Sequence, residues 1–175
     1  IRDVVLFSIV ILVGVYMYAG LYVHRAKIHA LIVLGRTQQN IHSISGLKRA
    51  RKVYTKVLNG FDKKHPFALI HLSEVAHSIW KYHNHEEKEY NAFVSRFTEV
   101  KATKYPLLPK LADYQALRYL VQYEAGVKDM EKGDLDAAKT KFQSVADSLK
   151  EKEKKQQFPP HARISWVHGL ALAGL

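Results

Sequence analysis

An all-α chain is predicted, with one N-terminal transmembrane helix followed by antiparallel helix pairs. Three observations predict it. From Val4 to Val23 there is no charged side chain. From Ile44 to Leu149 apolar residues recur at three- and four-residue steps, the period of a helix with one buried face. No stretch alternates apolar and polar residues as a half-buried strand would, and there is no hairpin signal.

Length and composition limit the rest. The chain has 175 residues, which suits one compact domain or one small domain plus an appendage. It has no cysteine, which excludes a disulfide scaffold, a thiolate metal site and a cysteine nucleophile. Lys and Arg number 27 against 16 Asp and Glu, a formal charge of +11. That excess points to an acidic partner, such as anionic lipid, nucleic acid or an acidic protein surface.

The first element is the apolar one. Val4 to Val23 is 20 residues, and at 1.5 Å per residue a helix of that length covers roughly 30 Å, the hydrocarbon thickness of a bilayer. Twelve of the 20 are Val, Leu, Ile or Phe. At about −0.3 to −0.6 kcal/mol each they favour insertion by on the order of −4 to −7 kcal/mol, with no ionised group opposing. Tyr16, Tyr18 and Tyr22 cluster at the far end, where phenol rings favour the lipid–water interface, and Arg25 and Lys27 follow in the headgroup layer. A cleaved signal peptide has a shorter core and a small-x-small site, and neither is found here. Arg2 is offset by Asp3 before the span, while Arg25, Lys27 and Arg36 follow it, which by charge puts the rest of the chain inside. The sequence opens on Ile1, and a few lysines upstream of it would reverse that reading.

The helix is expected to leave the bilayer and run to about Gly35, giving an anchor region over 1–36 and a helical-repeat domain over 37–175. Thr37 to Ser45 is polar and reads as a bend. Ile44, Leu47, Ala50, Tyr54, Val57 and Leu58 then form one apolar row, ended by Asn59-Gly60. Pro66, at a favoured first-turn position, opens a helix to Tyr82 with Ile70, His71, Glu74, Val75 and Ser78 in mixed rows. His83-Asn84-His85 interrupts it. Glu86 to Lys101 is helical through Tyr90, Phe93, Phe97 and Val100, and Thr103 to Pro109 is a joint. A long helix starts at Leu108 or Lys110 and runs to Lys132. Gly133 breaks it, Asp134 caps Leu135 to Leu149, and Lys150 to Lys155 is a solvated charged extension. After Pro159-Pro160, His161 to Leu175 begins another apolar helix. It carries no charge after Arg163, so its apolar face needs cover: the polypeptide continues, a partner covers that end, or the helix packs wholly onto the preceding pair.

The best-defined unit is Tyr123 to Ala146. Gly126 lets two antiparallel helices approach, Gly133-Asp134 turns the chain, Ala138 fills the crossing and Phe142 packs into the next pair. This unit resembles a tetratricopeptide repeat, with Asp129 in place of the usual aromatic and no proline closing it near Lys150. The order of parts resembles bacterial single-pass tetratricopeptide proteins that serve as ancillary subunits of the Sec translocon. An uncharged span runs into a basic amphipathic helix and then into helix pairs opened by His65-Pro66-Phe67-Ala68 and by Leu111-Ala112. That resemblance implies a helical domain in the periplasm that binds other envelope proteins, the opposite side from the charge reading.

The search for chemistry finds no phosphate-cradling glycine loop, no zincin helix and no Gly-x-Ser-x-Gly elbow. His77, His83 and His85, with Glu86 and Glu87, are the densest histidine group and could reach one ion, but a polar inter-helix loop with exposed histidines explains them better. His-Asn-His lacks the strand–helix context of a nuclease, and His161 and His168 share a helical face as surface or interface residues. No catalytic residue, cofactor or metal is expected. Lys48, Arg49, Arg51, Lys52, Lys56, Lys63 and Lys64 make a basic patch close after the anchor. Anionic headgroups have a direct route to it, at about 1 kcal/mol per cation near the surface, and a solvated helix face is the alternative. Aromatics suited to base stacking are not evident beside it, which disfavours nucleic acid. The expected function is a non-catalytic, membrane-anchored interaction or scaffold subunit attached to a membrane protein complex, with a peptide or partner helix on the repeat surface. The alternative is an accessory subunit, for assembly or stability, of an energy-transducing membrane complex.

Overall fold

A computed structural model describes residues 2–154 together with Gly169, Ala171, Ala173 and Gly174. Six α-helices are formed among them and no strand. They are α1 (Arg2–Gln39), α2 (Ile44–Gly60), α3 (Pro66–Ile79), α4 (Glu87–Ala102), α5 (Ala112–Glu131) and α6 (Leu135–Lys154). A π-helical turn, Trp80–Asn84, follows α3, and a short 3₁₀ turn, Leu108–Lys110, precedes α5.

Helix α1 has two halves with different surroundings. Its apolar first half is exposed along its whole described length, from Phe7 to Val23. The helix is long and apolar enough to cross a membrane. From Ile28 onward the second half packs on the domain core through Ile28, Leu31 and Ile32. The helix does not stop at Gly35 as the sequence suggests. A Cβ at that position would lie 2.3 Å from the Tyr54 ring, so Gly35 is a point of close approach to α2 and not a terminator. The turn comes at Asn40–Ser43, where His42 takes a left-handed φ of 54° and the Ser43 hydroxyl caps α2 by accepting from the Gly46 amide at 3.1 Å.

Three antiparallel pairs follow from the contacts. In α1 and α2, Gly35 and Gln39 lie against Tyr54, while His24 reaches Phe61. In α3 and α4, Ser73 donates to the Phe93 carbonyl, while Trp80 packs on Tyr90. In α5 and α6, Gly126 faces Phe142, while Asp129 pairs with Lys141. The main core joins Leu47, Tyr54 and Val57 of α2 to Ile70 and Val75 of α3, Phe93 of α4 and Leu117 of α5. A second core holds Ala116 and Tyr119 of α5 with Val145, Ala146 and Leu149 of α6 and Ala171. Helix α5 therefore buries residues on two faces, which is the burden of an inner helix.

Other boundaries shift for local reasons. Helix α3 ends at Ile79, three residues before Tyr82, because the chain widens into the π turn closed by the His85 amide on the Trp80 carbonyl at 3.0 Å. The charged stretch after Leu149 is exposed at Lys150 and Glu151, as expected of a solvated extension, and it continues α6 to Lys154. Lys and Glu are good helix formers and simply continue the helix past the buried Leu149. The expected last helix, Ile164 to Leu175, lies outside the described residues except for Gly169, Ala171, Ala173 and Gly174. Of these, Ala171 is buried in the second core.

Candidate functional site

The polar residues that join α1 to the domain, which carry no role in the sequence analysis, form an extended cluster among the described residues. Arg36 donates from Nε to His71 Nε2 at 2.9 Å and from Nη2 to Asp113 at 2.8 Å. A guanidinium can only donate, so Nε2 accepts and His71 Nδ1 donates to Glu74 Oε2 at 2.9 Å. The Gln39 amide donates to the same Glu74 oxygen at 3.1 Å, and the Tyr54 hydroxyl donates to Gln39 Oε1 at 3.1 Å. Tyr54 and His71 stack with ring centroids 5.2 Å apart. Gln39, Tyr54, His71 and Glu74 are all buried. One network thus ties α1, α2, α3 and α5 together. Removing one member leaves a buried partner unsatisfied, at about 1–3 kcal/mol.

A second buried cluster lies along α3 and α5. His77 Nε2 bonds Glu124 Oε1 at 2.8 Å, and Lys81 donates to Glu124 Oε2 at 3.1 Å. Burial pushes the Glu124 carboxyl up. The hydrogen bond and charge of His77, with Lys81, outweigh burial and hold it below its ordinary value. This overturns the grouping of His77 with His83 and His85. His77 turns inward onto Glu124 and the Phe93 ring, whereas His83, His85, Glu86 and Glu87 stay exposed around the π turn. Glu87 instead pairs with Lys128 of α5. Among the described residues no three His, Asp or Glu are placed to share a metal ion.

A groove of about 890 Å³ opens beside α1 just beyond its apolar half. Its walls come from α1 between His24 and Arg36, from the α2–α3 loop and from the α4–α5 joint at Thr103 and Tyr105. Arg25, His29 and Lys64 line it together with Ile28, Ile32 and Phe61. His65, also in the wall, caps α3 by accepting from the Ala68 amide at 3.4 Å. Burial lowers the His65 pKa, opposed by the nearby Asp62 carboxylate and aided by His71.

The basic patch is divided by the fold. Because α2 runs antiparallel to α1, Lys63 and Lys64 return to the level of His24, whereas Lys48 and Arg49 stand beside the Asn40–Ser43 turn at the opposite end. Lys48, Arg49, Lys52 and Lys56 are exposed. Arg51 is not part of a free basic face, since its guanidinium forks onto both carboxylate oxygens of the buried Glu89 in α4, the Nη1 bond at 3.0 Å. Tyr16, Tyr18, Tyr22, Arg25 and Lys27 are all exposed on α1. In the α5–α6 pair, Gly126 is buried and a Cβ there would stand 2.7 Å from the Phe142 ring. Phe142 therefore packs inside its own pair, on Gly126 and Tyr123, as well as against the Gly174 backbone, and not solely into a following pair. Ala138 is buried one turn earlier on α6. Gly133 has φ +83°, and Asp134 caps α6 by accepting from the Ala137 amide at 3.1 Å. Asp129 pairs with Lys141 of α6.

The signal for the junction network was in the rows of α3. His71 and Glu74 stand three residues apart among Ile70, Leu72 and Val75, where a polar residue must find a partner. The partner could not be read, because Arg36 and Gln39 lie 35 positions away in sequence. Comparison with protein-family models, with curated proteins and with solved structures finds no match.

Proposed function

We propose that this protein is a single-pass, membrane-anchored scaffold subunit, without a catalytic step, whose helical domain binds a protein of a membrane complex. The observation that carries this reading is the continuity of α1. One unbroken helix presents an uncovered apolar half and locks its other half into the domain through Gly35, Arg36 and Gln39. An apolar surface of that length has no stable place in water. The apolar core is longer than that of a cleaved signal, and no small-x-small site follows it. A rigid junction is what a scaffold requires, because it fixes the orientation of the domain on the bilayer.

In this reading the Tyr16, Tyr18 and Tyr22 rings mark the near interface, with Arg25 and Lys27 in the headgroups. Lys63 and Lys64 join them there. Lys48 and Arg49 stand roughly 20 Å further out, more than two Debye lengths at physiological salt, and are left for protein partners. The Gly126–Phe142 approach, the Gly133 turn and the Asp134 cap support the tetratricopeptide-like reading of α5 and α6. The flanking charges put the domain inside and the likeness to Sec ancillary subunits puts it in the periplasm. Protease protection of a C-terminal tag in sealed vesicles decides between the two.

The test is photo-crosslinking in membranes from probes at exposed positions of α2 and α6 and from probes in the apolar half of α1. Crosslinks from the domain to one membrane-complex subunit are expected. Crosslinks confined to the span would favour the accessory-subunit reading, in which the helix itself is the contact. Release of the chain from membranes by alkaline carbonate would remove the anchor.

A further inference from the structure

We infer that the groove beside α1 is a binding site for a single anionic phospholipid. This rests on the anchor reading, since only a membrane-spanning α1 brings the groove to headgroup level. Helix α1 enters the groove at His24 and Arg25, immediately after the last residue of the apolar segment, Val23. A headgroup layer adds about 5–8 Å on each side of the hydrocarbon, and five residues of helix, His24 to Ile28, rise roughly 8 Å. The fold then brings the α2–α3 loop back to the same level through the His24–Phe61 ring contact, with centroids 5.3 Å apart.

The chemistry of the walls is that of a lipid and not of a soluble anion. Arg25, Lys64 and three histidines, His24, His29 and His65, face one acidic residue, Asp62. Among the described residues neither the Arg25 guanidinium nor the Lys64 ammonium is ion-paired, and the nearby Asp62 carboxylate accepts from the Lys64 backbone amide at 3.0 Å, whereas Arg36, deeper in the groove, is already held by Asp113 and His71. Two unpaired cations flanking one cleft match a phosphodiester, with the arginine fork taking two oxygens and the lysine a third contact. Ile28, Ile32 and Phe61 supply an apolar wall against which the glycerol and first methylenes lie. An acidic peptide would satisfy the cations and leave that wall facing water.

The full-length chain, purified in mild detergent with phosphatidylglycerol and phosphatidylcholine added, is tested by native mass spectrometry. One retained phosphatidylglycerol per chain is expected, with phosphatidylcholine retained far less. The double variant Arg25→Gln, Lys64→Gln should weaken retention roughly thirtyfold, the loss of two headgroup contacts of about 1 kcal/mol each. Lys48→Gln, Arg49→Gln removes the same charge at the far end and should leave retention unchanged. Equal weakening in both variants would mean diffuse attraction and overturn the site. So would equal retention of both lipids, binding of glycerol 3-phosphate as tightly as the whole lipid, or displacement of the lipid by a poly-glutamate peptide. Carbonate extraction of the same proteins reads the anchor separately. A chain that stays in the membrane without retaining lipid defeats the groove alone, and a chain that is extracted defeats both.

Discussion

Single residues decide how α1 meets the domain. Gly35 is the clearest case. An added methyl group would sit 2.3 Å from Tyr54, a fully buried ring that also holds Gln39. Gly35→Ala gains up to about 1 kcal/mol of helix propensity, yet overpacking costs about 1–3 kcal/mol, and displacing Tyr54 strips a hydrogen bond from Gln39. A lower melting temperature is expected, and an unchanged one would show that α1 and α2 do not pack closely at this point. Glu124 gives a pH test. Its folded-state pKa lies below its ordinary value, so its contribution is complete above the unfolded carboxylate pKa of about 4.3 and is lost as pH falls through the lower folded value. Glu124→Gln should therefore destabilise the protein at neutral pH and flatten the fall in stability on acidification. A variant with the same acid slope as the parent would mean that Glu124 is not held ionised by His77 and Lys81.

At the scale of elements, α1 and the α5–α6 pair carry separable predictions. Val13→Arg places a charge in the middle of the apolar half, at about 2.5–3.5 kcal/mol on the insertion scale. That offsets about half of the favourable total for the segment. A smaller membrane-bound fraction is expected after expression, and normal insertion would show that this half is not in hydrocarbon. In the other pair, Gly126→Leu must displace the Phe142 ring, which is pinned on its other side by Gly174. The expected cost is about 1–3 kcal/mol, or a fall of several degrees in melting temperature. Helix α5 is sensitive because it serves both cores. Tyr114 and Leu117 face one, and Ala116 and Tyr119 face the other.

The whole molecule is an apolar rod joined without a hinge to a helical body, and the join can be tested by deletion. Removing residues 1–23 takes away only exposed side chains among those described, and the remaining chain should stay folded and become soluble without detergent. Removing residues 1–39 also removes Ile28, Leu31, Ile32, Arg36 and Gln39. That uncovers the α2 and α3 surface and leaves Glu74 and His71 without their α1 partners. Circular dichroism and gel filtration should show a folded monomer for the first deletion and a destabilised, aggregating chain for the second. If both behave alike, α1 beyond Val23 is a tether and not part of the body.

What the sequence determined by itself follows from local physics. An uncharged run of 20 residues is long enough to span a bilayer whatever surrounds it, and helical periodicity, Pro66 at a first turn and the Asp134 cap are properties of neighbouring residues. The helical class and most boundaries were therefore legible. The end of α1 falls at Gln39 and not at about Gly35, because the polar residues after Gly35 read as a bend until Arg36 and Gln39 are seen to bond His71 and Glu74. Helix packing alone brings Arg36 to His71 and Asp113, His77 to Glu124 instead of His83 and His85, and Arg51 out of the basic patch to Glu89. These contacts join residues 35 to 77 positions apart. A buried charge or imidazole must be paired, but which partner it takes depends on how the helices stack, and no periodicity along the chain records that.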